Sequence, residues 1–326
     1  RAALRWAPSP LLDATATYYF QFQDVGASQI SSRRSSLPTG KWEANKRVLE
    51  PNERDNQLVA LEIISDLGFA ELTSASGYAK YKERGQRDQT DLLITLEYSY
   101  EAFPSFTSFT REDQKDEIVN QEIRLVSKHG GPISWIVGGF YNNFKSYGES
   151  REFTPGYDQF AVDNFGGVQL RPDALEYFSV DDVKLIEKAV FGEISYEITD
   201  RLQITGGLRY YDYKLTTMSA VDFPLLNTVF FGDPPDQIIL DFVPGGQSDS
   251  GVLYKINASY KASDSALLYL TVSEGYRIGN SNGVAPCPVP LPPTQIACAL
   301  PNEMQNFPDK TKNYEIGAKT TLFDGR

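Results

Sequence analysis

The sequence predicts an all-β protein: an antiparallel transmembrane β-barrel, incomplete in this chain, with short turns on one rim and long loops on the other. Three observations carry that expectation. Strand-like segments alternate apolar and polar side chains over about eleven residues, the length that crosses a bilayer at a steep tilt; strands of soluble domains run about five or six. Short and long connections alternate along the chain, which is the rhythm of an up-and-down barrel. Aromatic residues make up 13% of the chain, and many stand at the two ends of these segments, where a membrane barrel carries its interfacial girdles.

The hairpin Gly251–Lys261 and Leu267–Gly279, joined at Ala262-Ser263-Asp264-Ser265, shows the pattern most plainly. Side chains on a strand alternate between faces. Leu268, Leu270, Val272 and Tyr276 therefore share one side, and Tyr269, Thr271, Ser273 and Arg277 the other. In chain order the expected strands are 2–7, 11–22, 56–65, 70–80, 117–127, 133–144, 187–198, 202–214, 251–261, 266–277 and 312–322. In 11–22, Leu12, Ala14, Ala16, Tyr18 and Phe20 oppose Asp13, Thr15, Thr17 and Gln21; in 202–214, Ile204, Leu208 and Tyr210 oppose Thr205, Arg209 and Tyr211. The short connections are 7–10, 66–68, 128–132, 199–201, 262–265 and the terminal Asp324-Gly325, each built from cheap turn formers. The long ones lie near 24–55, 81–116, 145–186, 215–250 and 278–311. Leu92–Tyr100 is also strand-like, but a further crossing would break the up-down parity, so it is placed inside the second long connection.

Alternation alone would also suit a soluble sandwich. Five long connections would not, because most connections in compact domains are about four to six residues. Trp6, Phe69, Trp135, Tyr196, Tyr260 and Phe323 flank the short turns, and Tyr18, Phe20, Phe22, Tyr141, Tyr210, Tyr213 and Tyr276 lie toward the loops. Two rings of aromatics are expected from that distribution.

Composition narrows function. No apolar run approaches the roughly 20 residues of a membrane helix. A net charge of −12 argues against a nucleic-acid partner. The single histidine, His129, sits in a short Gly-rich turn and supports neither a Ser-His-Asp triad nor a His-rich metal site. The chain is therefore expected to be no enzyme and to carry no cofactor. Loop 215–250 holds Asp222, Asp233, Asp236, Asp241 and Asp249 without Lys or Arg; loop 24–55 is mildly basic through Arg33, Arg34, Lys41, Lys46, Arg47 and Arg54. Acidic loops suit Ca²⁺, though most such runs are solvated faces.

Several segments together resemble the TonB-dependent outer-membrane receptors. They are Leu268-Tyr269-Leu270-Thr271-Val272-Ser273-Glu274-Gly275-Tyr276-Arg277, Asn313-Tyr314-Glu315-Ile316-Gly317-Ala318-Lys319 and Leu322-Phe323-Asp324-Gly325-Arg326. Gln121-Glu122-Ile123-Arg124-Leu125, Ser134–Tyr141, Ile204–Tyr210 and Leu72–Tyr78 fit in the same order, while Pro308-Asp309 departs mildly from a usual Pro-Glu. The resemblance implies a barrel of roughly 22 strands, with a plug in its lumen and a short segment that contacts TonB. Residues 1–326 would then be a partial barrel of eleven strands, with the plug and the later strands outside it. The partners would be outer-membrane lipid, TonB, the receptor's own plug and a small-molecule or metal-chelate ligand, at the outer membrane of a Gram-negative cell. Ferric siderophores, haem, cobalamin, saccharides and polyphenols all fall within the family's range. The alternatives are a passive porin or adhesin with the same wall, and a secreted all-β glycan-binding protein.

Candidate ligand residues are Arg124, Arg209 and Arg277 on the expected lumen face and Tyr147, Tyr157 and Phe160 in the loop region, whose rings would stack on a ligand ring or sugar face. Cross-strand pairing and loop packing are the plainer roles for the same residues. Cys287 and Cys298, eleven positions apart in CPVPLPPTQIAC, do not have redox or zinc spacing. In an oxidising envelope they are expected to staple their loop by a disulfide, two free thiols being the alternative.

Overall fold

The computed structural model describes residues 1–27, 40, 43, 46–90, 107–128, 130–282, 284, 286–291 and 298–321. One antiparallel sheet of eleven strands dominates it. The strands are β1 (Ala2–Ser9), β2 (Leu12–Val25), β3 (Asn52–Asp66), β4 (Ala70–Asp88), β5 (Phe109–Ser127), β6 (Ile133–Phe153), β7 (Leu175–Thr199), β8 (Leu202–Asp222), β9 (Val243–Ser263), β10 (Ala266–Arg277) and β13 (Asp309–Thr320). They pair in chain order, and β1 and β13 are the two ends of the sheet, so the wall is not closed. A separate two-stranded ribbon joins β11 (Asn280–Ser281) to β12 (Gln305–Asn306). Two short helices, α1 (Tyr157–Phe165) and α2 (Pro224–Phe231), lie in the long connections. Among the described residues no helix is long and apolar enough to cross a membrane.

Register explains how one sheet acquires two different faces. Directly paired residues share a face, so the pairings define rows across the strands. The row Trp135–Ile194–Gly206–Ile256–Val272–Tyr314 is apolar throughout, as are Val137–Gly192–Leu208–Tyr254 and Gly139–Val190–Tyr210–Val252. Between them run rows of the opposite face, such as Glu193–Gly207–Lys255–Ser273–Asn313. Val190 and Leu208 are each 61% exposed. A protein in water does not leave whole rows of Ile, Leu and Val exposed on one face of a sheet when burial of each is worth about 1.5–3 kcal/mol. Hydrocarbon is the solvent that suits this face.

The strands are longer than the alternation suggests. β6, β7 and β8 contain 21, 25 and 21 residues, so the true connections shrink to 26–51, 89–108, 154–174, 223–242 and 278–308. The extensions hide from periodicity because the apolar–polar alternation breaks there: 81–88 and 145–152 are largely polar on both faces, and β7 mixes polar residues with a buried Leu175, Phe178 and Val180 cluster. Their ladders carry cross-strand ion pairs instead: Arg54–Glu83 at 2.9 Å, Arg84–Asp113 at 2.8 Å and Arg87–Glu112 at 2.8 Å. At the opposite rim the turns are tight. Between β3 and β4, Gly68 takes φ 84° and donates its N–H to Asp66 Oδ1 at 2.8 Å, a conformation that a Cβ disfavours.

Two girdle expectations need correction. Tyr213 is only 1% exposed and lies on the inner face, in the row with Glu187 and Asp249. Tyr276 stacks on Tyr211 with ring centroids 3.9 Å apart, so it too faces inward. The reason is that β10 stays paired to β9 only as far as Ser273–Lys255. Beyond that point it is held by β13 alone, through Arg277–Asp309, and its Tyr276 ring lies over β8. The strand-like 92–100, His129, the basic Arg33, Arg34 and Lys41, and the terminal 322–326 lie outside the described residues.

Candidate functional site

The inner face carries an aromatic and carboxylate wall where β7, β8 and β10 converge. Tyr211, Tyr213 and Tyr276 are nearly parallel, with Tyr276 against Tyr211 at 7° and against Tyr213 at 15°. Gly251 makes room for this, because a Cβ there would come within 2.9 Å of Tyr211 Oη. Each hydroxyl is then engaged: Tyr211 donates to Asp249 at 3.0 Å, Tyr276 donates to Glu187 at 3.3 Å, and Tyr213 accepts from the Gly279 N–H at 3.3 Å. Glu187 also accepts from Asn142 Nδ2 at 3.1 Å. Ala189 and Leu253 complete a small buried core with the tyrosines. The connection after β10 leans on the same face, with Ser281 2.9 Å from Thr217.

Below this wall, Arg209 places its guanidinium 5.5 Å from the Phe140 ring and 6.0 Å from Phe191, within the range of a cation–π contact. Arg124 occupies the same inner row as Phe191 and Arg209, and sits 3.4 Å from Glu122. Arg277 pairs with Asp309 at the upper end of β10. The inner face therefore holds Arg124 and Arg209, while Arg277, the strand neighbour of inward-facing Tyr276, points away from the tyrosine wall and pairs with Asp309.

The loop aromatics separate. Tyr157 and Phe160 belong to α1, with ring centroids 6.0 Å apart, and Phe160 meets Phe165 edge-on at 5.4 Å. Tyr157 packs against the Ala161, Leu225 and Val229 cluster that joins α1 to α2. Tyr147 stands elsewhere, in the outer-face row with Lys115 and Asp182, and its hydroxyl donates to Glu149 at 2.5 Å. The sulfurs of Cys287 and Cys298 are bonded, with Cα atoms 4.7 Å apart.

One buried cation organises the rim. Arg171 is 1% exposed. Its guanidinium donates to Asp173 at 2.9 and 3.1 Å, to Thr228 Oγ1 at 3.1 Å and to the Gln237 carbonyl at 2.8 Å, while its backbone N–H donates to Asp158 at 3.0 Å. Nothing in the alternation marks this arginine. Of the loop aspartates, Asp222 ties the start of α2 to the following loop, accepting from Phe223 N, Asn227 Nδ2 and Ile239 N, while Asp249 accepts from Tyr211.

Glu176, at the loop end of β7 and far from the apolar band, is an unsatisfied acid of the rim. It is buried and its Oε2 has no hydrogen-bond partner among the described residues. Burial pushes its carboxyl up to about 7 from the ordinary 4.5, because the charged form loses its water. The folded state thus holds the proton more tightly than the unfolded chain. Rim stability is full below pH 4.5 and falls as pH rises through 7, by about 3 kcal/mol at pH 8. Glu176→Gln is expected to remove that slope, which amide exchange of residues 175–180 at pH 5 and pH 8 measures directly.

The arrangement offers one half-buried ring, Tyr276, backed by two buried ones, with carboxylates and arginines around it, and binding is the chemistry it suits. Tyr211 was legible as inward-facing from alternation in 202–214; Tyr276 and Arg171 were not, since their positions depend on where β10 leaves the sheet and how two helices meet.

Comparison with known proteins gives one family model, described as TonB dependent receptor-like, beta-barrel, which matches residues 4–326. Solved structures with the same fold include the ferric yersiniabactin uptake receptor FyuA of Yersinia pestis, at 16% identity and a TM-score of 0.65, covering 98% of this chain and 42% of that one. The siderophore receptor PiuA of Acinetobacter baumannii has 16% identity and a TM-score of 0.65, covering 99% and 47%. The ferric-catecholate import receptor Fiu of Escherichia coli K12 has 12% identity and a TM-score of 0.62, covering 99% and 48%. This chain spans less than half the length of these three proteins. No curated protein matches the sequence.

Proposed function

Because the chain belongs to the TonB-dependent receptor-like β-barrel family, we propose that it is part of the wall of an outer-membrane uptake receptor for a scarce nutrient held in a metal chelate. Residues 1–326 act as a partial barrel domain whose lumen is occupied by a plug, and release of the ligand draws its energy through TonB. The segregation of apolar side chains to one face of an eleven-stranded sheet and polar ones to the other carries this reading. An outward face matched to lipid leaves the inward face as the passage.

Tyr276, the half-buried ring that covers Tyr211 and Tyr213, and Arg209 are the residues on this chain that meet the ligand, with Arg124 in the passage lining, Arg277 at the upper end of β10 and Tyr157 and Phe160 shaping the rim. A ferric chelate with aromatic groups would stack on Tyr276 and present acceptor oxygens to Arg209. Growth of a deletion strain of the full-length receptor on a panel of ferric chelates under iron limitation tests this. Loss of growth on one chelate, repeated when TonB is removed, is the expected result. Undiminished growth on every chelate overturns it, and uptake that persists without TonB points to passive diffusion.

A further inference from the structure

The connection that leaves β10 turns inward and rests on the wall of the passage. Ser281 Oγ lies 2.9 Å from Thr217 Oγ1, and the Gly279 N–H donates to Tyr213 Oη at 3.3 Å. On the returning side, Gln305 Nε2 donates to the Gly246 carbonyl at 3.4 Å. Thr217 is paired with Gly245 and shares the inward alternation of Tyr213, further toward the loops along β8. The ribbon β11–β12 is two residues long on each side. A ribbon of that size does not hold itself together in water, so the wall beneath it sets its place.

Two glycines decide how closely the ribbon approaches. A Cβ on Gly245 would collide with Ser281 Oγ and Thr217 Oγ1, and one on Gly279 with the Gln247 side chain and the Asn306 carbonyl. The connection is pinned beyond the ribbon as well. The Asn282 N–H donates to the Met304 carbonyl at 3.0 Å, and the Cys287 N–H donates to the Ala299 carbonyl at 2.9 Å beside the Cys287–Cys298 bond. A segment held at this many points has already lost the freedom that a moving loop keeps. Its seat also covers part of the tyrosine wall. Tyr213 is buried, with Gly279 at its hydroxyl and Ile278 packed on its cluster, while Tyr276 stays half-buried.

We infer that the ribbon is a fixed sill at the mouth of the passage, and that Gly245 and Gly279 determine specificity by letting it lie flat against β8 and β9. With the sill in place, Tyr276 is the ring of the three that a ligand reaches, so the wall accepts one stacked group and not two side by side. Any side chain at Gly279 lifts the sill, uncovers Tyr213 and disturbs the strand end that carries Tyr276. The sill keeps its seat throughout uptake. The inference rests on the inner face being the passage of the proposed receptor.

The test uses the full-length receptor in outer membranes. In the T217C/S281C variant a disulfide between the two new cysteines, mapped by mass spectrometry of non-reduced peptides, is expected to form, and uptake of a radiolabelled ferric chelate is expected to be the same in oxidised and reduced cells. Nitration of Tyr213 by tetranitromethane is expected to rise about tenfold in G279V, together with a half-saturating chelate concentration about tenfold higher at an unchanged maximal rate. G275A, where the added Cβ meets open space, is expected to behave as the parent receptor in both measurements. Failure of the disulfide to form shows that the ribbon is not seated, and uptake that stops on oxidation and returns on reduction shows that it must move; either overturns the proposal. So does an unchanged Tyr213 reactivity or an unchanged half-saturation in G279V. Cross-linking and nitration read the sill without any ligand, so a receptor that imports no chelate fails the transport reading and leaves those two results standing.

Discussion

Arginine in place of Leu208 is expected to cost the full-length receptor about 2–4 kcal/mol of stability in a bilayer, while arginine in place of Ser195 costs within about 1 kcal/mol. The two positions lie on adjacent strands, three residues apart along the ladder, and on opposite faces. Leu208 shares the outer row with Val137 and Gly192. A guanidinium there must be drawn out of water into hydrocarbon, or drag water and headgroups inward, and either is expensive near the middle of the band. Ser195 faces the interior, where it lies 2.8 Å from Thr205 Oγ1. Its replacement forfeits one hydrogen bond and leaves the new charge hydrated. Denaturant titration of both variants in liposomes gives the comparison. Equal costs, or a larger cost at Ser195, would mean that the faces are assigned the wrong way round.

The second large effect belongs to the rim. Arg171→Ala is expected to weaken the packing of α1 on α2 by about 3 kcal/mol, since removing one partner of a buried, hydrogen-bonded charge strands the others. Thr228, the Gln237 carbonyl and Asp173 all lose a donor at once. Asp173 is 46% exposed and rehydrates, which holds the figure at the lower end of the buried-pair range. The damage stays local because the helices touch the sheet through few residues. Limited proteolysis should cut within 154–174 and 223–242 in the variant, while the heat stability of the barrel is unchanged. A fall in barrel stability equal to the loop effect would show that the rim and wall unfold together.

How far the sequence reveals this molecule depends on which solvent each segment meets. Where one face meets lipid, as at Leu268–Leu270–Val272 or Ile204–Leu208, alternation is strong and the strands are legible to within a few residues. Above the lipid both faces of the ladder meet water, so segments such as 81–88 and 145–153 lose their period and read as loops although they are strand. The inward position of Tyr211 follows from its place opposite Tyr210. That of Tyr276 depends on the point where β10 parts from β9, which no local pattern encodes. Arg171 is further from view still, because its burial is made by two helices and a loop distant in sequence.

The ribbon that continues past the apolar band has a consequence for where capture begins. Twenty-five residues of β7 rise about 80 Å along the strand, and a tilted crossing of a band about 25 Å tall uses less than half of that. Roughly 30 Å of stiff double-faced ladder therefore projects beyond the hydrocarbon, like a turret. On the proposed reading, its two helices stand well above the hydrocarbon, where a dissolved ligand meets them before it reaches the lipid.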